Sequence, residues 1–262
     1  MLLENKVVVV SGVGPGLGQA LARLAAAEGA SVVLAARNRD FIENVREDIV
    51  SRHGEAIAVP CDVSDPAQCE ELARQARDAF GGRIHGLVNS AYYHGEWSFI
   101  ENADPTDMTR GFDVNCLGAL RLTQAFLPLL RNGGAVVNVS TMATVRPYAG
   151  DHGMEMGYAV AKGALNTLGK YMAADLGRFG IRVNTCRMGW IHGQPVEQHI
   201  QSMVDAGTPR EEVVAGITSD IPLKVIPPEE DCARAVLMML SDYAAVVTGA
   251  SLDINGGHWI AP

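Results

Sequence analysis

Apolar positions along the chain alternate between two rhythms. Val7, Val8, Val9 and Val10 are apolar at consecutive positions, which predicts a strand covered on both faces, as in a parallel sheet, where in-and-out alternation disappears. Leu17, Leu21 and Leu24 then recur at helical spacing, and Gly29 stands where a left-handed residue closes a helix. The cycle repeats, predicting strands at residues 31–36, 56–60, 84–89, 135–140, 181–186 and 251–254 with helical segments between them. The stretch from about 193 to 228, with its prolines and methionines, breaks the rhythm and is expected to be a small helical lid. Strands alternating with helices imply right-handed crossovers. The expected architecture is a single α/β domain over residues 1–262: a doubly wound parallel sheet (Rossmann fold) of about seven strands, with helices on both faces. Ligands of such sheets gather at the carboxyl ends of the strands, so the residues that follow each strand are the first candidates for function.

Composition narrows the class. A chain of 262 residues with 48% hydrophobic and 19% charged residues is too apolar for disorder and too interrupted by charge to be a membrane protein. With 30 acidic against 21 basic residues the formal charge is -9, a sign that repels nucleic acid. Five cysteines, without zinc spacing, fit a reduced cytoplasmic protein, and the first apolar run is too short for a signal peptide. The seven histidines lack metal-site spacing. No metal is expected, and His94, His152 and His192 read as pocket walls or solvated loop residues.

Four features carry chemistry. After the first strand, Gly12, Gly16 and Gly18 allow a tight turn that brings backbone amides to a pyrophosphate at a helix N-terminus. Tyr158 and Lys162 lie four positions apart, on one face of a helix. An ammonium favours a neighbouring phenolate, so Lys162 is expected to lower the Tyr158 pKa toward general acid/base use. Ser140 ends the fifth strand, and Asn115 lies in the helical segment before it.

Jointly these residues resemble the short-chain dehydrogenase/reductase family, in its single-domain branch, over nearly the whole chain. Gly12, Gly16 and Gly18 fill its T-G-x-x-x-G-x-G pattern, Asp62 matches its adenine-contacting aspartate, and Asn115, Ser140, Tyr158 and Lys162 match its catalytic tetrad. The resemblance implies hydride transfer between a nicotinamide and a carbonyl or secondary alcohol carbon. Tyr158 then moves the proton, Ser140 holds the substrate oxygen, Lys162 holds the nicotinamide ribose, and Asn115 helps hold a relay water. The implied cofactor contacts are Gly12, Gly16, Leu17, Gly18, Arg37, Asp62, Val63, Asn89, Ser90, Ala91, Gly189 and Ile191, together with Tyr158 and Lys162. The chain departs from the family pattern at Asn89-Ser90-Ala91 in place of N-A-G, at Met188-Gly189 in place of P-G, and at Gly193 in place of a threonine. It also sets Ser140 and Tyr158 18 positions apart, several more than usual. These departures imply an altered substrate pocket.

Three finer expectations follow. Ala36 stands where NAD-preferring relatives carry an acid and Arg37 follows it, so NADP(H) is expected over the possible NAD(H). Relatives pair through the helix bearing Tyr158, and Leu165, Leu168, Met172 and Leu176 form a stripe on it that could equally face the sheet; a homotetramer is expected. The loops around the nicotinamide carry Tyr92, Tyr93, His94, Trp97, Met154, Met156, Met188 and Trp190, with Ile200 and Met203 on the lid. Such a pocket suits an apolar cyclic or aromatic secondary alcohol or its ketone. Alternatives are a sugar or polyol dehydrogenase, a dinucleotide-sensing regulator, and a lyase or dehalogenase, which would be expected to lack the turn glycines.

Overall fold

The computed structural model describes residues 1–147, 149–150 and 153–261. His152, one of the histidines weighed above, lies outside them. The first strand, β1 (Val7–Ser11), leads through the glycine turn to α1 (Leu17–Ala27), and β2 (Ser31–Ala36), α2 (Arg39–Ser51) and β3 (Glu55–Pro60) complete the first half. The second half runs α3 (Pro66–Phe80), β4 (Gly86–Asn89), α4 (Pro105–Phe112), a π-helical turn (Asp113–Leu117), α5 (Gly118–Leu130) and β5 (Ala135–Thr141). A short hairpin of β6 (Ala149–Gly150) and β7 (Gly153–Met154) precedes α6 (Met156–Leu176). Then come β8 (Arg182–Met188), α7 (Gln194–Asp205), α8 (Arg210–Thr218), α9 (Glu229–Leu240) and β9 (Ser251–Ile254).

Seven strands form one parallel sheet in the order β3-β2-β1-β4-β5-β8-β9. The order reverses between β1 and β4, where Ser11 pairs with Asn89, and this switch point opens a crevice at the carboxyl ends. The unbroken valine run has a direct cause. Val8 and Val10 pack into one core with Leu21, Leu34 and Val236, while Val7 and Val9 pack into the other with Leu72, Phe126 and Met172.

Several strand boundaries shift from the pattern reading, by two residues at the fourth and sixth strands and by one elsewhere. The fourth strand starts at Gly86 rather than 84, and a Cβ at Gly86 would stand 3.0 Å from Leu240 Cδ1. The sixth (β8) starts one residue later and runs two further, because Met188 still pairs with Thr141 on one side and Ile254 on the other. The stripe on α6 also needs correction. Leu165, Met172 and Leu176 are buried inside the molecule, with Leu168 packed against the core that holds Met172 and Leu176, and the large apolar residues α6 presents outward are Val160 and Tyr171. Within 193–228, α7 and α8 pack on a small core of Ile200, Val213 and Ile226. A bridge between His192 and Pro228 pinches this insertion at its base.

Candidate active site

The glycine turn is built for close approach. Gly12 (φ +78°) and Gly16 (φ +112°) take left-handed conformations that favour glycine. A Cβ on Gly12 would lie 2.4 Å from Ala91 N, and one on Gly18 2.2 Å from Gly12 O, so α1 and the loop after β4 can meet the turn only as bare backbone. Ser90 N donates to Ser11 Oγ at 3.3 Å, joining that loop to β1 across the switch point. A narrow cleft here brings together Ser11, Val63, Asn89, Ala91 and Asn115. Leu17, the first residue of α1, packs against the core and holds the helix start in place.

Arg37 is exposed beyond the end of β2 and forms no hydrogen bond or ion pair among the described residues. Asp62 Oδ1 accepts from the Ser64 amide at 2.9 Å and its hydroxyl at 2.7 Å. Burial opposes the charged form, but these bonds, with Arg37 and Arg110 nearby, hold the Asp62 carboxyl below its ordinary range. Val63 is enclosed against Gly118, where a Cβ would come within 2.6 Å of its Cγ2. Asn89 Nδ2 donates to Asn138 Oδ1 on the adjacent strand at 2.9 Å, which props the strand end and leaves Asn89 Oδ1 without a partner. Gly189 N donates to Ile254 O at 3.0 Å, and Ile191 packs on the core beside it.

The tetrad residues divide by role. Ser140 is 1% exposed and its Oγ has no hydrogen-bond partner, an orphaned group at the end of β5 that a ligand oxygen could satisfy. Lys162 is equally buried, and its Nζ donates to Val139 O at 2.8 Å. The Nζ stands 6.0 Å from the centre of the Tyr158 ring. The Tyr158 shift runs against the depressed phenol expected beside an ammonium. Burial first, and the Glu155 carboxylate and Tyr92 after it, push the Tyr158 phenol up, while burial brings Lys162 down to about 7. Desolvation outweighs the attraction between two groups separated by this distance. Asn115 Oδ1 accepts from Tyr93 N at 2.8 Å and its Nδ2 donates to Tyr93 O at 2.7 Å. Through these two bonds its amide clamps the loop after β4 and keeps a second N–H and a second lone pair.

The aromatic residues separate likewise. Tyr92 meets the Tyr158 ring edge-on, with centroids 6.2 Å apart. His94 stacks on Tyr158 at 5.1 Å and on Trp97 at 5.4 Å. Met154 reaches the same loop through reciprocal bonds with Ser98, and Met156 opens α6 two residues before Tyr158. Trp190 instead joins the lid core and lies 5.9 Å from the His199 ring, and Ile200 is completely buried in that core, so Ile200 stabilises the lid rather than lining a pocket. Arg146 pairs with Asp220 and Arg187 with Asp253, which commits both guanidiniums to internal ion pairs. His192 faces Glu197 on the surface of the lid.

Sequence reasoning missed Glu229. It opens α9 after Pro227-Pro228, and its Oε2 comes 3.6 Å from a Cβ placed on Gly16 and 2.7 Å from one placed on Gly193. A carboxylate therefore reaches between the glycine turn and the start of the lid. Its one sequence signal was acidic residues at a helix start. A dinucleotide fits the cradle as built: the turn offers positive-φ glycines, open space beside Gly14, and the unpartnered Ser140 hydroxyl farther along the crevice.

Residues 12–258 match a family profile described as enoyl-(acyl carrier protein) reductase. The chain is 34% identical over 258 residues to an uncharacterised oxidoreductase of Methylorubrum extorquens, covering 97% of this chain and 98% of that one. It is 32% identical over 259 residues to the meso-2,3-butanediol dehydrogenase of Serratia marcescens, covering 98% and 96%. Among solved structures, a 7 alpha-hydroxysteroid dehydrogenase complexed with NADH and 7-oxo glycochenodeoxycholic acid aligns with a TM-score of 0.84 at 28% identity, over 97% of this chain and 94% of that one.

Proposed function

The chain belongs to the short-chain dehydrogenase/reductase family and is an oxidoreductase, and from that premise we propose that it interconverts an apolar secondary alcohol, cyclic or aromatic, and its ketone with NADP(H). The observation that carries this reading is the buried Ser140 hydroxyl, without a hydrogen-bond partner among the described residues, next to Val139, whose carbonyl holds Lys162 Nζ 6.0 Å from the Tyr158 ring centre. The nicotinamide, when bound, supplies or accepts the hydride. Tyr158 gives or takes the proton at the substrate oxygen, and Ser140 Oγ hydrogen-bonds that same oxygen as charge develops. Lys162, brought near neutrality by burial, holds the nicotinamide ribose and exchanges a proton with Tyr158. Gly12, Gly16, Leu17 and Gly18 receive the pyrophosphate, Asp62 and Val63 the adenine, and the segments 89–91 and 189–191 flank the nicotinamide.

Arg37 supports NADP(H), since it is exposed, forms no hydrogen bond or ion pair among the described residues and can fork onto a 2′-phosphate. The substrate class rests on Tyr92, His94, Trp97, Met154 and Met156 around the catalytic tyrosine, with Trp190 bracing the lid over 193–228. A polyol is the second reading, raised by the butanediol dehydrogenase relative. An enoyl thioester, suggested by the description of the family profile, is disfavoured because Glu96, Glu101 and Glu155 give the loop the wrong sign for a phosphorylated carrier. We further propose a cytoplasmic homotetramer, on the five buried free thiols and the outward face of α6.

Steady-state assays at the nicotinamide absorbance band, on a homologous series of secondary alcohols and ketones with both cofactors, test the reading. The expected result is kcat/KM rising with apolar bulk and favouring NADP(H) by about tenfold or more, the value of a charge-assisted hydrogen bond. A flat series, an optimum on a polyol, or equal use of NAD(H) contradicts it.

A further inference from the structure

His94 is held in an arrangement that the roles given so far do not use. The loop after β4 is tied to β7 by Ser98 N donating to Met154 O at 3.2 Å and Met154 N donating to Ser98 O at 3.0 Å. Gly153 (φ +134°) has no room for a Cβ, which would fall 2.5 Å from Ser98 N. This tether sets the His94 ring between Trp97 and Tyr158, nearly parallel to both at 24° and 22°. It also sets His94 Nε2 3.2 Å from Glu155 Oε2, the residue that caps α6 three positions before Tyr158.

The two ring nitrogens of His94 both face acceptors, Glu155 Oε2 and, at 3.4 Å, Gly95 O. A neutral imidazole has one N–H and serves one of them, whereas an imidazolium serves both. The side chains of His94 and Glu155 are 34% and 18% exposed, so water screens the pair only in part. The hydrogen bond that His94 donates to Glu155, set against burial, holds the His94 pKa above its ordinary value, and the Asp107 carboxylate on α4 adds to this. Asp107 is itself engaged by the Tyr93 hydroxyl at 2.6 Å and the Glu96 amide at 3.0 Å. The groups that bear on Tyr158 are then Glu155 and Tyr92, both opposing phenolate, with His94 on one ring face and Lys162 at 6.0 Å.

We propose that His94 is a positioning residue for the proton transfer: kept as an imidazolium by Glu155 and stacked on the Tyr158 ring, it counters the Glu155 carboxylate and favours the phenolate that alcohol oxidation requires. This rests on Tyr158 being the acid/base group. The arrangement explains how a carboxylate is tolerated so near a tyrosine that must lose its proton. It also gives a use to the longer segment between Ser140 and Tyr158, whose hairpin fixes the tether.

The test is the pH dependence of kcat/KM for alcohol oxidation in the wild type, His94→Gln, Glu155→Gln and the double variant. An apparent pKa read from the profile does not depend on the folded fraction, so partial misfolding leaves it interpretable. With His94→Gln the Glu155 charge is uncompensated, and the rising acidic limb, which reports loss of the Tyr158 proton, should move up by about one unit or more, as expected for loss of a charge at this distance. Adding Glu155→Gln should return the limb toward the wild-type position. A His94→Gln profile that overlays the wild type, with only KM changed, overturns the proposal, as does a double variant that stays shifted. Should His94→Gln fail to fold, proton NMR of histidine-labelled wild type and Glu155→Gln decides instead. One histidine midpoint should lie above 6.5 and fall in the variant, and no such change overturns the proposal. If Tyr158→Phe retains turnover, the active-site reading fails; if it is inert and His94→Gln is unshifted, this inference alone fails.

Discussion

Lys162 places an amine with three donors where, among the described residues, only Val139 O accepts from it, and burial brings its pKa from 10.5 to about 7. Its linkage to stability has a definite sign. Between these values the unfolded chain binds more protons than the folded one, so the penalty of the buried ammonium is full below about pH 7 and is relieved as pH rises toward 10.5. Lys162→Met removes the charge and keeps the bulk. It should abolish turnover yet raise unfolding free energy by about 2 kcal/mol near pH 6.5, with the gain shrinking near pH 10. Urea titrations at the two pH values check this, and a destabilised methionine variant at the lower pH would contradict it. At this scale the sequence identified which residues meet but misjudged their electrostatics. The spacing of Tyr158 and Lys162 places them on one helical face; the direction of the phenol shift depends on burial, which spacing does not contain. For the same reason the clamp between the Asn115 amide and the backbone of Tyr93 could not be read from the sequence, since only the folded loop brings the two together.

Among the elements, regular strands and helices were legible and irregular ones were not. The π-helical turn Asp113–Leu117 has no periodic signal, although it is what lets Asn115 point from α4 toward the loop after β4. The extra length between Ser140 and Tyr158 was visible, but its folding into a hairpin tied to Ser98 depends on a bridge across 56 positions of sequence. The apolar stripe on α6 was ambiguous by nature, since period 3.6 says that a face is buried and not against what. The outward face of α6 resolves it: Tyr171, 73% exposed, borders an apolar groove with Phe112, Leu117, Leu120, Ala164 and Thr167. If this face joins copies of the chain, sedimentation of the wild type should show a tetramer and Tyr171→Asp should release smaller species without unfolding. A wild type that sediments only at 27.9 kDa contradicts the assembly.

For the whole molecule, the order of the sheet does most to create function. Two halves wound outward from β1 and β4 leave the crevice at their carboxyl ends. The glycine turn, Asp62, the 89–91 segment, Ser140 and the start of α6 reach that side from five separate stretches of chain. The alternation of apolar runs announced this arrangement because each parallel strand needs a crossover helix. The insertion over 193–228 was legible only as a break in rhythm, and its small core of Ile200, Val213 and Ile226 emerged from the folded packing. The central claim is that the Tyr158 hydroxyl carries the proton in hydride transfer, and Tyr158→Phe removes that hydroxyl and little else. Single-turnover absorbance at the nicotinamide band, with cofactor affinity measured in parallel by fluorescence titration, is the direct measurement. The account predicts a loss of at least about a hundredfold in rate with affinity changed only a few-fold; a variant that retains more than about a tenth of the wild-type rate would contradict it.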